Sequence, residues 1–278
     1  MAKRSSASTL GMSLTYLAAL LVVGITVIPL LFTILGGFRT NAQINTSPAG
    51  WPSPWTMDNF TAVLSSGVFW HAMGNSAVIA VIATALAVAA GAMAAFALSR
   101  YSFKGRESLY TLFTIGLLFP VTAAALPLYL LLRQLNLLEH SLGVALPEAA
   151  FSLPITIVIL RPFMHAIPGE LEDAAAMDGA GRLGFFWRIL LPLSRPALTT
   201  VAILAFVTSW NAYLLPLLVL SDPGDFTLPL GVAAFQTQYS QDTARILAYT
   251  AASMLPAIGL FVFAERRIVG GLTGSVKG

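Results

Sequence analysis

The chain has 278 residues, of which 57% are hydrophobic and 10% are charged, and its mean hydropathy is +0.80. Soluble domains carry about a quarter charged residues, so a water-soluble core of this size could not bury so much apolar surface. The formal net charge of +3 is small and the basic residues are not clustered on a soluble face, which argues against binding of nucleic acid, and the absence of cysteine excludes disulfides and thiolate metal sites.

The apolar residues occur in runs of about 20, the length that crosses a hydrocarbon core as a helix. Because each run is apolar throughout, the runs indicate helices and not barrel strands. The sequence therefore predicts an all-α, polytopic membrane protein with a single transmembrane domain over residues 1–278. The six predicted spans are residues 14–38, 72–98, 109–132, 142–160, 197–220 and 246–264.

The first span follows Lys3 and Arg4, as the apolar core of a signal peptide would. Its apolar stretch exceeds the length of a signal core and has no obvious small-residue cleavage site, so we interpret it as an uncleaved helix. The next loop, residues 40–60, contains Trp51 and Trp55, which we expect to anchor it in the headgroup layer.

The distribution of Lys and Arg predicts the orientation of the spans. All but three of the 15 basic residues fall on one side of the predicted bundle, the exceptions being Arg39, Arg133 and Arg245. By the positive-inside rule, both termini and the loop of residues 163–195 are predicted to be cytoplasmic.

Within the second span, the pattern Ala87-x-x-x-Gly91-x-x-x-Ala95 forms a ridge of small residues. Such a ridge permits close approach of another helix, either from this chain or from a second membrane subunit. Later spans contain prolines that could bend them or merely shape the bundle. These residues are Pro120, Pro127, Pro154, Pro216 and Pro256.

Few polar residues lie within the predicted spans. Those that could line a path for a hydroxyl-rich solute are Asn75, Ser76, Glu148, Asn211 and Tyr213. Each could instead satisfy the backbone of a neighbouring segment. His71, His140 and His165 lack metal-ligand spacing, so we expect structural roles for them and no metal site.

The loop between the fourth and fifth spans contains an acidic, alanine-rich stretch, residues 170–179. Pro168 suits the first position of a helix, carboxylates in the first turn suit its dipole, and Gly179 suits its end. We expect this short helix to face the cytoplasm and to accept a partner pocket carrying basic groups. A second helix, with Phe185, Phe186 and Leu190 close together, is expected to lie on the membrane surface until Pro192 stops it.

The spacing Asp173-Ala174-Ala175, three residues, Gly179, nine residues and Ile189-Leu-Leu-Pro192 resembles the EAA loop of permease subunits of bacterial ABC importers. Residues 171–180 and 190–194 are similar to the sugar-importer branch, in particular to its smaller, six-span permease of the maltose type. The similarity covers essentially the whole chain, with further support from Asn75-Ser76, residues 94–100, Trp210-Asn211 and residues 271–278. One departure is Asp173, which stands where the family pattern has glutamate.

The resemblance implies a subunit that couples solute import to ATP hydrolysis by its partners. Residues that would contact the ATPase are Glu170, Glu172, Asp173, Ala174, Ala175, Asp178 and Gly179. The implied partners are a second permease, two ATPase subunits that hold ATP and Mg, an extracytoplasmic solute-binding protein, a carbohydrate and membrane lipid. The implied location is the bacterial inner membrane, and no cofactor is expected in this chain.

The sequence has no G-x-x-x-x-G-K-[ST] phosphate loop, so it is not expected to hydrolyse ATP in that way. Three alternatives stay open. An ion-coupled secondary transporter would usually show internal repeats and a deep relay of ionisable residues, for which Glu148 is the one candidate carboxylate. An ABC importer permease could also serve a non-sugar solute, and a membrane enzyme or scaffold is the third alternative.

Overall fold

A computed structural model describes the backbone of residues 6–236 and 241–273, and the side chains of residues 15–236 and 241–259. The described residues do not include Lys3, Arg4, Lys277 or the end of the stretch of residues 271–278. The side chains of Arg266 and Arg267 are also not described. The described chain is helical, and its one pairing of extended residues is an isolated bridge between Gln236 and Gln241. The all-α class is therefore confirmed.

The helices of the described residues are α1 (Ser6–Gly37), α2 (Asn41–Thr46), α3 (Asp58–Ser65), α4 (Gly67–Arg100), α5 (Arg106–Gly116), α6 (Val121–Gln134), α7 (Ser141–His165), α8 (Glu170–Met177), α9 (Arg182–Phe185), α10 (Leu191–Leu193), α11 (Arg195–Trp210), α12 (Leu214–Val219), α13 (Leu228–Gly231) and α14 (Thr243–Thr273). A π-helical turn, Phe186–Leu190, joins α9 to α10. Short 3-10 turns occupy Pro223–Asp225 and Val232–Phe235.

The chain divides into two compact units, Met1–Gly67 with Val232–Met254, and Val68–Gly231 with Leu255–Gly278. In the first unit, the end of α1 packs closely on α14, because a Cβ added at Gly37 would lie 3.0 Å from the Cα of Ala248. Arg39 is 3% exposed and donates hydrogen bonds to the carbonyls of Gln43, Ser47 and Pro48. This guanidinium holds the 40–60 loop against the end of α1.

The second unit packs α4, α7 and α11 around a core that continues into the loop of residues 163–195. One cluster of buried residues joins these helices to that loop and includes Ala92, Phe96, Leu160, Met164, Ala175, Phe185, Leu190 and Val201. A second cluster joins the other ends of α4 and α7 to α12 and α13, and it includes Ile79, Val144, Leu215 and Leu230. The loop is thus part of the folded core and not an appendage to it.

Among the described residues, three unbroken helical segments are long and apolar enough to cross a membrane: Thr15–Gly37, Gly67–Arg100 and Ser141–His165. This number rises to five if each of two bent pairs of helices is one span. The pairs are Arg106–Gly116 with Val121–Gln134, and Arg182–Leu193 with Arg195–Trp210. The sixth predicted span falls in α14, partly among residues whose side chains are not described. Six spans in one domain therefore stays a prediction.

The third predicted span is not one continuous helix. It consists of α5 and α6, which meet at an angle of 100°. Helix α5 ends at Gly116, which lies against Pro154 of α7, and Pro120 precedes the first residue of α6 in an extended conformation. Proline lacks an amide hydrogen and cannot continue the ladder of α5, so the break occurs here. Pro127, Pro154 and Pro256 lie inside helices instead.

The fifth predicted span is also interrupted. Helix α11 ends at Trp210, and α12 begins at Leu214. The Asn211 side chain donates to the Val207 carbonyl, 2.8 Å away, which satisfies an acceptor in the last turn of α11. The sequence marked only Pro216 as a possible bend in the span predicted over residues 197–220, so it did not predict the break at residues 211–213.

The small-residue ridge of α4 packs within this chain. Ala87 and Ala95 are fully buried, and a Cβ added at Gly91 would lie 3.0 Å from the Cβ of Thr156 on α7 and would overlap its methyl group. Close packing requires glycine at this position. Backbone conformation does not require it, because Gly91 lies in an ordinary helical turn. The sequence left open whether this ridge contacts another helix of this chain or a second subunit. In the structure it forms a seam between α4 and α7 of this chain.

Candidate functional site

Helix α8 forms because its sequence suits a short, isolated helix. Three carboxylates, Glu170, Glu172 and Asp173, occupy the first turn, where they meet the positive end of the helix dipole. The three alanines that follow favour helix propagation. The helix begins at Glu170, two residues later than Pro168, whose carbonyl accepts from the Leu171 amide.

The end of α8 is fixed by a glycine in the left-handed region. Gly179 has φ of +81°, its amide donates to the Ala176 carbonyl, and the Ala180 amide donates to the Ala175 carbonyl at 2.8 Å. These two bonds are those of a Schellman motif, in which the left-handed residue closes the helix. The predicted role of Gly179 as the helix end is confirmed.

Helix α8 has one buried face and one exposed face. Ala175 is 4% exposed and packs in the cluster that contains Met164, Phe185 and Leu190. The small side chain brings α8 close to the core of its own chain, and the predicted contact of Ala175 with a partner stays a prediction. The exposed residues of α8 and its end form what we call the acidic face of the loop: Glu170, Asp173, Ala174, Asp178 and Gly179.

Glu172 differs from the other acids because it turns back toward the chain. Its carboxylate Oε2 lies 4.0 Å from Nε of Arg100, the last residue of α4, and its side chain is 29% exposed. The predicted contact of Glu172 with a partner thus competes with an internal ion pair. Asp173, the residue that departs from the family pattern, stays exposed to an outside group, as do Glu170 and Asp178.

A polar cavity of about 600 Å³ lies beside the start of α8. Its lining residues include Arg100, Tyr101, His165, Glu172, Asp173 and Arg182. The guanidinium of Arg182 lies 4.7 Å from the centre of the Tyr101 ring, a cation–π arrangement. Burial raises the pKa of the Tyr101 phenol, Glu172 adds to the rise, and the guanidiniums of Arg182 and Arg100 oppose it.

The segment after Gly179 does not lie flat on a surface. Phe185, Phe186 and Leu190 are at most 2% exposed and belong to the core cluster, whereas Trp187 is 62% exposed. The π-helical turn shifts the register of this segment, so that both Phe185 and Phe186 face the core. The expected surface helix packs in the core instead, and Pro192 lies inside α10, which ends one residue later at Leu193.

Three exposed apolar side chains accompany the acidic face and were not predicted. Met177 is 89% exposed, Leu183 is 70% exposed and Leu171 is 40% exposed. These side chains add apolar area to the part of the loop that carries the exposed carboxylates. The signal was present in the sequence, since each of the three interrupts an otherwise polar or small-residue stretch.

The structure does not assemble the predicted solute path from its named residues. Asn75 donates to the carbonyls of Gly224 and Phe226, and the Ser76 hydroxyl accepts from the Leu228 amide at 2.8 Å. Both residues therefore hold the loop before α13. Asn211 caps its own helix, and Tyr213 is 52% exposed.

Glu148 is buried on α7 and is bonded to another helix. The hydroxyl of Ser209 on α11 donates to its Oε2, and its Oε1 has no hydrogen-bond partner. The side chain is 6% exposed, so it does not line an open path in this conformation. Its visible role is to join α7 to α11.

The fold and the loop geometry agree with comparisons to known proteins. A solved structure of a bacterial ABC transporter involved in the import of the acidic polysaccharide alginate matches with a TM-score of 0.83 over 96% of this chain and 99% of that chain. At 19% sequence identity, this match shows the fold alone.

Sequence comparisons are more specific. The arabinooligosaccharides transport system permease protein AraQ of Halalkalibacterium halodurans is 37% identical over 91% of this chain and 92% of its own length. The trehalose transport system permease protein SugB of Mycobacterium tuberculosis is 35% identical over 95% of this chain and 98% of its own length. The family profile of binding-protein-dependent transport system inner membrane components matches residues 87–268, a range that contains α8 and Gly179. The chain therefore belongs to the family of binding-protein-dependent transport system inner membrane components.

Proposed function

We propose that the chain is a permease subunit of an ATP-driven importer that forms part of the path for a sugar or a related polyol. The observation that carries this proposal is the acidic face of α8. It presents Glu170, Asp173 and Asp178 to solvent on a helix whose buried side, through Ala175, is fixed to the bundle core. A group that binds this face could move the core.

The energy for transport is proposed to come from partner subunits. The sequence contains no phosphate loop, so ATP and Mg would be held by two ATPase subunits and not by this chain. Met177 and Leu183 add apolar contact area to the acidic face, and an ATPase groove with basic residues at its rim would complement both. In this arrangement α8 and both termini are cytoplasmic.

The proposed solute class rests on the named relatives. Two of them carry names for the transport of arabino-oligosaccharides and trehalose. A second permease and an extracytoplasmic binding protein would complete the system, and the family description includes dependence on a binding protein. A non-sugar solute is the second candidate within the same function, and a binding assay on the cognate binding protein separates the two.

The proposal is tested by reversing a charge on the acidic face. Asp173→Lys should abolish co-purification of the ATPase and ATP-driven uptake, while the permease still inserts, because a cation would face the basic pocket. The matched control is Asp225→Lys, which reverses an exposed acid in the 3-10 turn before α13 and should leave ATPase co-purification unchanged.

Equal ATPase binding by the wild-type and Asp173→Lys proteins would contradict this role for α8. A separate experiment tests the alternative of an ion-coupled secondary transporter. If the purified chain alone takes up solute in response to a proton or sodium gradient, without any ATPase, then the proposed function is wrong.

A further inference from the structure

Arg100 is a buried charge whose contacts join four segments of the second unit. It is the last residue of α4, and its side chain is only 7% exposed. A buried guanidinium must be hydrogen-bonded or paired to offset its loss of hydration. The positions of its partners therefore show which segments depend on one another.

The first set of partners lies at the end of α7. Nη2 of Arg100 donates to the carbonyls of Met164 and Ile167, at 2.9 and 2.8 Å. Carbonyls at the end of a helix lack partners within the helix and carry the negative end of its dipole. Arg100 therefore fixes the end of α4 to the end of α7.

The second set of partners belongs to the loop. Nε of Arg100 has no hydrogen bond, and the nearest carboxylate oxygen, Oε2 of Glu172 on α8, lies 4.0 Å away. The guanidinium carbon also lies 5.8 Å from the centre of the Phe185 ring in α9. The hydrogen bonds to α7 are short and direct, whereas the attraction to α8 is electrostatic.

We propose that Arg100 is a positioning residue that transmits displacement of α8 to α4 and α7. When an ATPase pulls or tilts α8, Glu172 draws Arg100 with it, and Arg100 moves the ends of both helices through its two carbonyl bonds. Apolar packing of Ala175 holds α8 close to the core, but it has no fixed direction. The inference rests on the proposed function, because it assumes that an ATPase moves α8.

The transport test compares substitutions in the complete importer, with its ATPase, second permease and binding protein, in proteoliposomes. Arg100→Gln should leave assembly and ATP hydrolysis intact and reduce the solute imported per ATP by about tenfold, a range usual for lost coupling. Arg100→Lys, which keeps the charge, should recover part of the ratio. The control Arg106→Gln removes a nearby arginine paired with Glu107 and not with α8, and should keep the wild-type ratio.

A spectroscopic test separates coupling from a structural role. The native sequence has no cysteine, so Lys104→Cys after α4 and Gly181→Cys after α8 provide two unique sites for spin labels. Gly181 has ordinary φ and open space around it, so the substitution fits. With Arg100 present, the distance between labels should be equal with and without a non-hydrolysable ATP analogue. In Arg100→Gln it should change on nucleotide binding.

Three results overturn the inference. They are an unchanged import ratio in Arg100→Gln, a label distance that changes equally in both backgrounds, and a loss of import in proportion to a loss of assembly. If the wild-type complex shows no ATP-driven import, then the proposed function is wrong, and the inference about Arg100 is wrong with it. The two failures are distinguished by whether the wild-type or only the variant is affected.

Discussion

At the scale of single residues, backbone conformation explains Gly179 and steric packing explains Gly91. Gly179 has φ of +81° with no atom close to an added Cβ, whereas Gly91 has a helical backbone with Thr156 in the way. The two glycines therefore tolerate different replacements. A left-handed residue other than glycine or asparagine costs about 1–2 kcal/mol.

We predict that Gly179→Ala weakens the end of α8. The strain of about 1–2 kcal/mol corresponds to a factor of about 5–30 in the opening equilibrium, so exchange of the Ala180 amide hydrogen should accelerate by that factor. Gly179→Asn should have a smaller effect. Gly181→Ala, where φ is −72°, is the control and should leave the exchange rate unchanged. Equal acceleration in both alanine variants would contradict the assignment.

Glu139 carries a second residue-level prediction, which concerns pH. Its Oε2 accepts from the Ser221 amide at 2.8 Å, and this hydrogen bond is the main reason that the pKa of the Glu139 carboxyl is lowered. Because the folded pKa lies below the unfolded one, the stabilisation is present above the ordinary glutamate pKa and is lost as pH falls through the lowered value.

Hydrogen exchange of the Ser221 amide, corrected for the intrinsic effect of pH, measures this dependence. Protection should stay constant from neutral pH down to the ordinary glutamate range and then decrease. Glu139→Gln should remove the pH dependence of protection. A variant that keeps the full acid-dependent loss would show that another group is responsible.

At the scale of elements, the α4–α7 seam can be tested by a double-mutant cycle. Gly91→Ala alone should destabilise the protein by about 1–3 kcal/mol, because the new methyl overlaps the Thr156 methyl in a packed core. Thr156→Ser removes the overlapping methyl, so the double variant should recover most of the loss. Thermal unfolding in detergent measures both, and purely additive effects would show that the two residues are not in contact.

Element boundaries show where sequence reasoning succeeded and where it failed. The short acidic helix and its glycine end were predictable, because capping and dipole effects are local. The buried position of Ala175 could not be predicted, because the three alanines of α8 are alike in sequence and any of them could have faced the core. The break at Pro120 was one of several possible proline effects, since Pro127, Pro154 and Pro256 lie inside helices that continue through them.

The sequence predicted where the candidate site lies but not which of its residues turn toward the rest of the chain. The motif spacing identified residues 170–179, and five of the seven named residues are exposed there. The inward turn of Glu172 depends on Arg100, which is 72 positions earlier in the sequence, and a contact of that kind is invisible to local patterns. The contacts of Asn75 and Ser76 were invisible for the same reason, because both residues bind a loop about 150 residues away, and their place in a solute path stays a prediction.

At the scale of the whole molecule, the predicted orientation is open to a direct test. The cysteine-free chain allows Met177→Cys and Trp51→Cys to be labelled in intact cells with a membrane-impermeant thiol reagent. Both side chains are exposed, at 89% and 69%. We expect labelling at residue 51 without lysis and at residue 177 only after lysis, and the opposite pattern would reverse the topology.

The membrane surface of the chain is incomplete without partners. Residues 15–37 of α1 have no part of their most apolar window buried within this chain, and Leu118 beside the α5–α6 break is 82% exposed. Lipid can cover α1, because a helix satisfies its own backbone. A break between helices must pair its backbone groups within the chain or meet water or another protein.

The bend closes part of its own backbone. The amides of Leu117, Leu118 and Phe119 donate to the carbonyls of Thr114, Ile115 and Gly116. What the bend leaves uncovered is apolar side chain, with Leu117 44% exposed and Phe119 55% exposed. A neighbouring subunit could therefore seat against the bend by apolar packing alone, without supplying hydrogen bonds to those three amides.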